Sequence, residues 1–305
     1  MLGAATLLAV AGLTFLIGER LVDPAVAGAG SLDPQVIAAR RAELGLDRPL
    51  PTRLGEHLSD LLRLELGVSR TRRQPVTQVL AGAIRPTLAY ALPGFLLAGV
   101  LALLGGTAAA RHQGRALDRS LSGLATALAA TSALVVVALG QLLAARQPHL
   151  FAAVGWPLVG SAQVRWSYHL ALPVLLWAAI QVGPDLRHVR ALMVESLAAP
   201  HIEALRARGL SEIAVLRHAL RNASGGLVAR LSLRLPQLVA GSVVIETVFN
   251  IPGVGEQLVT AVLAGDGPLL QGVVLLLTVV TVLGQPVLDL LAAALDPRLA
   301  VGGSR

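Results

Sequence analysis

The residues of this 305-residue chain best placed to do chemistry are charged groups inside apolar sequence, first among them Arg230 and Arg234. Four positions apart, they share one helix face, and each guanidinium costs about 2.5 to 3.5 kcal/mol near a bilayer centre. Arg230 lies close enough to Gly225 to snorkel toward headgroups. Arg234 is deeper, so it is expected to face a partner or a transport path or gate, where it would attract a carboxylate-bearing substrate. His169, His188, His201 and His218 are scattered and read as loop or interface residues rather than metal ligands. Lysine is absent, so no P-loop G-x-x-x-x-G-K-[ST] can form and the chain cannot hydrolyse ATP in that way. No cysteine is present either, which removes disulfides, thiolate zinc sites and cysteine nucleophiles. Gly253 and Gly255 bracket a turn and lack the strand and helix context of a nucleotide loop.

A second constellation is the polar run EALRARGLSEIAVLRHALRN, from Glu203 to Asn222. Gly209 is placed to end one helix and Ser211 to cap the next, which makes a helix-turn-helix. Ile213, Leu216 and Leu220 recur at i, i+3 and i+7, an apolar stripe beside Arg217 and Arg221. Such an element can lie on lipid or dock into a groove on a partner.

The elements that carry these residues must be membrane helices. The chain is 54% hydrophobic and 14% charged, with a mean hydropathy of +0.69, so its net charge of +7 points to headgroups and the positive-inside bias rather than to nucleic acid. A bilayer core of about 30 Å needs about 20 helical residues. Six stretches qualify: Met1–Gly18, Pro86–Ala110, Ser120–Ala145, Tyr168 to about Leu186, Gly225–Phe249 and Pro268 to about Ala294. The fourth is short and ends at Gly183-Pro184. On the third, Ala125, Ala129 and Ala133 form a small-residue stripe suited to close packing. The reading is an all-α membrane protein: residues 1–18 a first span, 19–85 an extracytoplasmic helical segment, 86–294 a five-helix core with a loop at about 190–224, and 295–305 a cytoplasmic tail.

Within the outer segment, Asp33 can cap a helix with Pro34 at its first position, and Gly45 can end it. A second helix is expected after Pro51, with Leu54, Leu58, Leu61 and Leu62 on one face. Short-loop charge sets the orientation. Arg111, Arg115 and Arg119 outnumber Asp118, and Arg187–Asn222 and the tail with Arg298 and Arg305 fall on the same, cytoplasmic side. Ala25-Val26-Ala27 looks like a signal-peptidase site, but no basic residue precedes Arg20, so an anchoring span is the better reading. The same missing basic residue suggests that the natural start lies upstream.

Taken together, these residues resemble the permease subunits of dipeptide, oligopeptide and nickel ABC importers, of the type with a long first outer loop. The family's cytoplasmic motif has E-A-A, three residues, Gly, then I-x-L-P. This chain matches its looser peptide-permease form, with Leu205 for the second alanine and Ala219, Arg221 and Asn222 where the general motif has Ile, Leu and Pro. Leu44–Pro51, Leu66-Gly67 with Ser69, Leu117-Asp118-Arg119, His169 and Pro173 agree with the same pattern. So do Arg187, Arg190, Met193 and Glu195, then Glu246-Thr247-Val248-Phe249 with Pro252-Gly253-Val254-Gly255, Gln271-Gly272 and Leu295-Asp296-Pro297-Arg298.

The resemblance implies a non-catalytic subunit of the bacterial plasma (inner) membrane, multi-pass with a cytoplasmic C-terminus. Its implied partners are a second, different permease, two ATPase domains or subunits and an extracytoplasmic substrate-binding protein, besides membrane lipid. The chain itself needs no cofactor, because ATP and Mg are bound by the partners. Glu203, Ala204, Arg206, Ala207, Gly209, Leu210, Ser211, Leu216 and His218 are implied as the contact with the ATPase, whose closure would move this element as a lever. Glu246 matches a family glutamate and is a further pathway or gate candidate, with a structural role as its alternative. Peptide is the expected cargo, with glutathione or a nickel or other metal chelate as alternatives. A secondary transporter would show inverted repeats or mid-membrane acids for ion coupling, and an intramembrane enzyme would show a nucleophile and base. No such repeat is seen, the spans are poor in acids, and no nucleophile and base stand out in them.

Overall fold

The structure is a computed structural model that describes residues 2–21, 33–43, 47–63, 65–152, 155–156, 166–232, 234, 237–238 and 241–295. Gly45, the Ala25-Val26-Ala27 site and the tail arginines lie outside these residues. Twelve helices follow one another among the described residues: α1 Leu2–Leu21, α2 Pro34–Glu43, α3 Leu50–Leu62, α4 Val76–Arg111, α5 Ala116–Ala130, α6 Ala133–Arg146, α7 Trp166–Leu197, α8 Pro200–Ala207, α9 Glu212–Ser232, α10 Val243–Phe249, α11 Val254–Ala264 and α12 Gly267–Leu295. The one β-type pairing among them is the isolated bridge between Val68 and Pro75.

The expected all-helical architecture is present, with different boundaries. Among the described residues, three helices are long and apolar enough to cross a membrane, over Val76–Arg111, Tyr168–Leu197 and Gly267–Val287, or four crossings if the bent pair of α5 and α6 is one span. The expected third span is broken: α5 and α6 meet at 98°. Thr131 and Ser132 adopt extended backbone there, and the Thr131 hydroxyl donates to Ala127 O at 2.8 Å, the local bonding by which hydroxyl residues compete with a helix. The break puts Ala133 on a different helix from Ala125 and Ala129.

Two glycines that look like breaks lie inside helices. Gly183-Pro184 does not end a helix, since α7 runs through it to Leu197. Gly183 is a notch instead: a Cβ there would stand 2.6 Å from Ala125 O and 2.9 Å from Ala129 N, so only glycine lets α7 and α5 approach this closely. No helix begins at Gly225. Helix α9 continues from Glu212 through Gly225 to Ser232, and Arg234, Gly241 and Ser242 are in turns before α10.

The chain divides into two compact units. The first takes Met1–Thr87 and Val239–Leu283. In it α1 packs on α3, where the Phe15 ring stacks on His57 at 5.0 Å and Arg53 lies over the same ring. Leu54, Leu58 and Leu61 are half-buried, as the apolar face of α3 requires. Asp33 caps α2 through the Gln35 amide at 2.9 Å. The second unit takes Leu88–Leu238 and Gly284–Arg305. Its core gathers Ala102, Ala110, Ala125, Leu186, Val189, Met193, Ile202, Val215, Ala219 and Ala223, drawn from α4, α5, α7, α8 and α9.

Candidate functional site

The Glu203–Asn222 run folds as two helices joined by a closed turn. Pro200 opens α8, and the turn after it carries two reversed hydrogen bonds, Gly209 N to Arg206 O at 2.9 Å and Leu210 N to Leu205 O at 3.3 Å. This is a Schellman ending, and it places Gly209 at φ +79°, a left-handed conformation open to glycine at little cost. Leu205 and Leu210, the two residues whose contact usually accompanies such an ending, are both half-buried against the core. Ser211 then starts α9, its Oγ accepting the Ala214 amide at 3.4 Å and its carbonyl accepting Val215 N at 3.0 Å. Arg206 reaches Glu212 across the turn at 3.3 Å, an exposed pair worth little on its own.

The face of α9 turned to the core lies beside the apolar stripe, of which Leu216 and Leu220 are partly buried against that core. Val215, Ala219 and Ala223 are buried, whereas Ile213 is 74% exposed. Small residues at i, i+4 and i+8 let α9 lie close to α7, where a backbone tie holds it: Ser196 Oγ donates to Ala219 O at 2.7 Å and accepts Asn222 Nδ2 at 3.2 Å. Asn222, a departure from the general motif, thus has a positional role here. Ile202, fully buried, anchors α8 from below. Glu203, Ala204, Arg206, Ala207, Ser211, Arg217 and His218 remain exposed, with Leu216 half-buried.

Beside this turn is a concavity of about 480 Å³, walled by Arg111, His112 and Arg115 from the α4–α5 connection and by Arg206, Glu212 and Leu216. That connection is fixed by Asp118. Its buried carboxylate takes the Arg190 guanidinium in a fork, Nε to Oδ1 at 2.5 Å and Nη2 to Oδ2 at 2.8 Å, as well as the Gly114 amide at 2.9 Å and the Ser122 hydroxyl at 3.1 Å. Asp118 and Arg190 are both visible in the sequence; their pairing is not, because they lie far apart in the chain.

Arg230 and Arg234 come together on one acid that sequence reading missed, Asp185 of α7. Arg234 Nη1 contacts Asp185 Oδ2 directly, and Arg230 Nε reaches Oδ1 at 3.3 Å. Arg234 is 3% exposed, and its Nη2 also donates to Gln181 O at 3.2 Å and Gln181 Oε1 at 3.3 Å. The signal for Asp185 is an acid that follows a proline inside an apolar run, next to the Gly183-Pro184 pair that looks like the end of a span.

Glu246 is fully buried in the first unit, not on an exposed face. Thr87 Oγ1 donates to its Oε1 at 2.7 Å, and the Glu256 amide donates to Oε2 at 3.0 Å. Thr87 Oγ1 in turn accepts the Val254 amide at 2.9 Å, so Glu246 and Thr87 together satisfy the opening of α11. A Cβ on Gly253 would stand 2.3 Å from the Glu246 carboxyl carbon, which explains the glycine in this turn without any nucleotide. Asp266 does similar work at the start of α12, accepting the Ser69 hydroxyl at 2.6 Å, the Thr71 amide at 2.9 Å and the Leu269 amide at 3.2 Å. Burial raises the Asp266 carboxyl, and the Ser69 hydroxyl and the surrounding amides outweigh that, so it lies below its ordinary value.

Residues 86–301 match the family of binding-protein-dependent transport system inner membrane components. A peptide transport system permease protein of Brucella abortus is 33% identical over 296 residues, covering 96% of this chain and 94% of the relative. The glutathione transport system permease protein GsiC of Salmonella typhimurium is 36% identical over 300 residues, with the same coverage. The chain therefore belongs to the family of binding-protein-dependent transport system inner membrane components, the non-catalytic permease subunits of ABC importers.

Proposed function

We propose that this chain supplies half of a translocation path for peptides or similar small solutes, paired with a second, different permease, and that the α8–turn–α9 element receives the ATPase. The reading rests chiefly on the exposed surface of that element. A Schellman turn, a capped helix and a buried Ile202 hold it rigid, yet Ala204, Ala207 and the 74% exposed Ile213 face outward. Rigid apolar surface beside charged residues fits a groove on another protein. Continuity of α9 from Glu212 to Ser232 supports the lever, because a push at Ser211 is transmitted along one helix toward Arg230.

In this reading the chain crosses the membrane six times, through α1, α4, the bent α5–α6 pair, α7, the α9–α10 region and α12. Residues 19–85 then lie outside and residues 295–305 in the cytoplasm. The similarity to permeases named for peptides and for glutathione favours a cargo of that kind over a metal chelate. Gly209→Pro tests the element. Proline fixes φ near about −65° and has no amide to give Arg206, so the turn must open. Binding-protein-stimulated ATP hydrolysis by the assembled importer should fall more than tenfold, whereas Gly209→Asn, which tolerates the left-handed conformation, should retain most of it. Charge reversal by Glu203→Arg should weaken ATPase recruitment. Normal coupling in both Gly209→Pro and Glu203→Arg would refute the assignment.

A further inference from the structure

The cluster around Arg234 has more positive charge than its own acid can balance. Gln181, Asp185 and His188 stand at i, i+4 and i+7 along one face of α7, and Arg230 and Arg234 meet that face. Two guanidinium groups share the Asp185 carboxylate. Among the described residues, Arg234 Nε is buried without a hydrogen-bond partner, and so is His188 Nε2. A buried donor left unmet costs about 1 to 3 kcal/mol, so a merely structural lock would be expected to meet it.

The bonds of Arg234 differ in strength. Asp185 holds Nη1 as an ion pair, but Gln181 Oε1 accepts from Nη2 at 3.3 Å, and the Gln181 amide donates to Gln237 Oε1 at 3.5 Å. Both glutamine bonds are at the long end of the useful range. A carboxylate on an arginine makes charge-assisted bonds of about 2.7 to 2.9 Å, roughly twice as strong as neutral ones. It would outcompete the Gln181 amide for Nη2 while also taking the unmet Nε, a side-on fork that leaves Asp185 in place. Gln237 is exposed and lies at the other end of the glutamine pair.

We propose that the Nε–Nη2 edge of Arg234 is a transient binding site for the carboxylate of the cargo, with Gln181 as the place-holder that yields to it. The site deepens the cargo reading above and rests on it. It gives the permease its own preference for acids, separate from any selection made by the binding protein. Gln181 is the specificity-determining position, and Asp185 keeps Arg234 in place when no cargo is bound.

The test uses the assembled importer in proteoliposomes, with a tripeptide bearing a free C-terminal carboxylate and the same tripeptide as its C-terminal amide. The readout is the ratio of the two uptake rates, with one binding protein throughout. Gln181→Glu places a carboxylate permanently on the Arg234 edge and should lower the acid-to-amide ratio about tenfold. Arg234→Lys keeps the charge but loses the fork, and should bring the ratio toward that of the binding protein alone. Gln237→Glu, a change at an exposed position, should repel the acid selectively and serves if the buried variants do not assemble. Uptake of both peptides at an unchanged ratio in Gln181→Glu, or in Gln237→Glu where that variant stands in, refutes the inference alone. An importer that takes up neither peptide refutes the cargo reading and the inference with it.

Discussion

Glu246 and Arg234 are both buried and both ionisable, and the chain treats them in opposite ways. Glu246 is surrounded by donors that suit it, the Thr87 hydroxyl and the Glu256 amide, at the opening of a helix where negative charge is favoured. Arg234 shares its counter-charge with Arg230 and retains an unmet donor. One arrangement is finished and holds a turn in shape. The other has capacity to spare. For buried charge in a membrane protein, the balance of the surroundings separates architecture from a candidate site better than the residue type does.

The contrast can be broken by mutation. Asp185→Ala leaves two guanidinium groups without their acid and should cost about 3 to 5 kcal/mol, read as a lowered thermal midpoint of the assembled complex in detergent. Gly253→Ala forces a methyl against the Glu246 carboxylate and should cost about 1 to 3 kcal/mol by the same measurement. If the two losses prove equal, the distinction between a site with spare charge and a finished turn is not supported by stability. Ser211→Ala removes the cap of α9 and should cost about 1 kcal/mol, with a larger effect on stimulated ATP hydrolysis than on the thermal midpoint.

The smallest effect concerns pH. Asp266 is held below its ordinary value of 3.8, so its stabilising contribution is complete above that value and is lost as pH falls through the lower folded-state value. Asp266→Asn should therefore flatten the acid limb of the stability profile below 3.8 and leave neutral pH behaviour nearly parallel to that of the parent chain.

Much of this was legible in the sequence, for local reasons. The Gly209 break, the Ser211 cap and the Asp33 cap depend on a few adjacent residues, and each appears where the spacing places it. What stayed hidden depends on partners distant in the chain. Asp185 finds Arg230 and Arg234, Asp118 finds Arg190, and Asp266 finds Ser69 only once the helices pack. The helix boundaries were hidden for a related reason. Gly183 and Gly225 look like breaks in a one-dimensional reading, but α7 and α9 run through them, and at Gly183 the missing side chain lets a neighbouring backbone in. Thr131-Ser132 erred in the opposite sense, since hydroxyl residues inside an apolar run concealed a 98° bend.

The most direct test of the central claim, that α8 and α9 present the surface driven by the ATPase, uses a property of the sequence itself. With no native cysteine, single cysteines can be placed at Ile213 and, as a control, at Leu96, which is also exposed but lies within the apolar stretch of α4. A short thiol-directed cross-linker is then applied to the assembled importer in native membranes. The account predicts an adduct between Ile213→Cys and the ATPase, altered in yield by ATP, and none from Leu96→Cys. Failure of Ile213→Cys to reach the ATPase in an importer that still hydrolyses ATP and transports would contradict it.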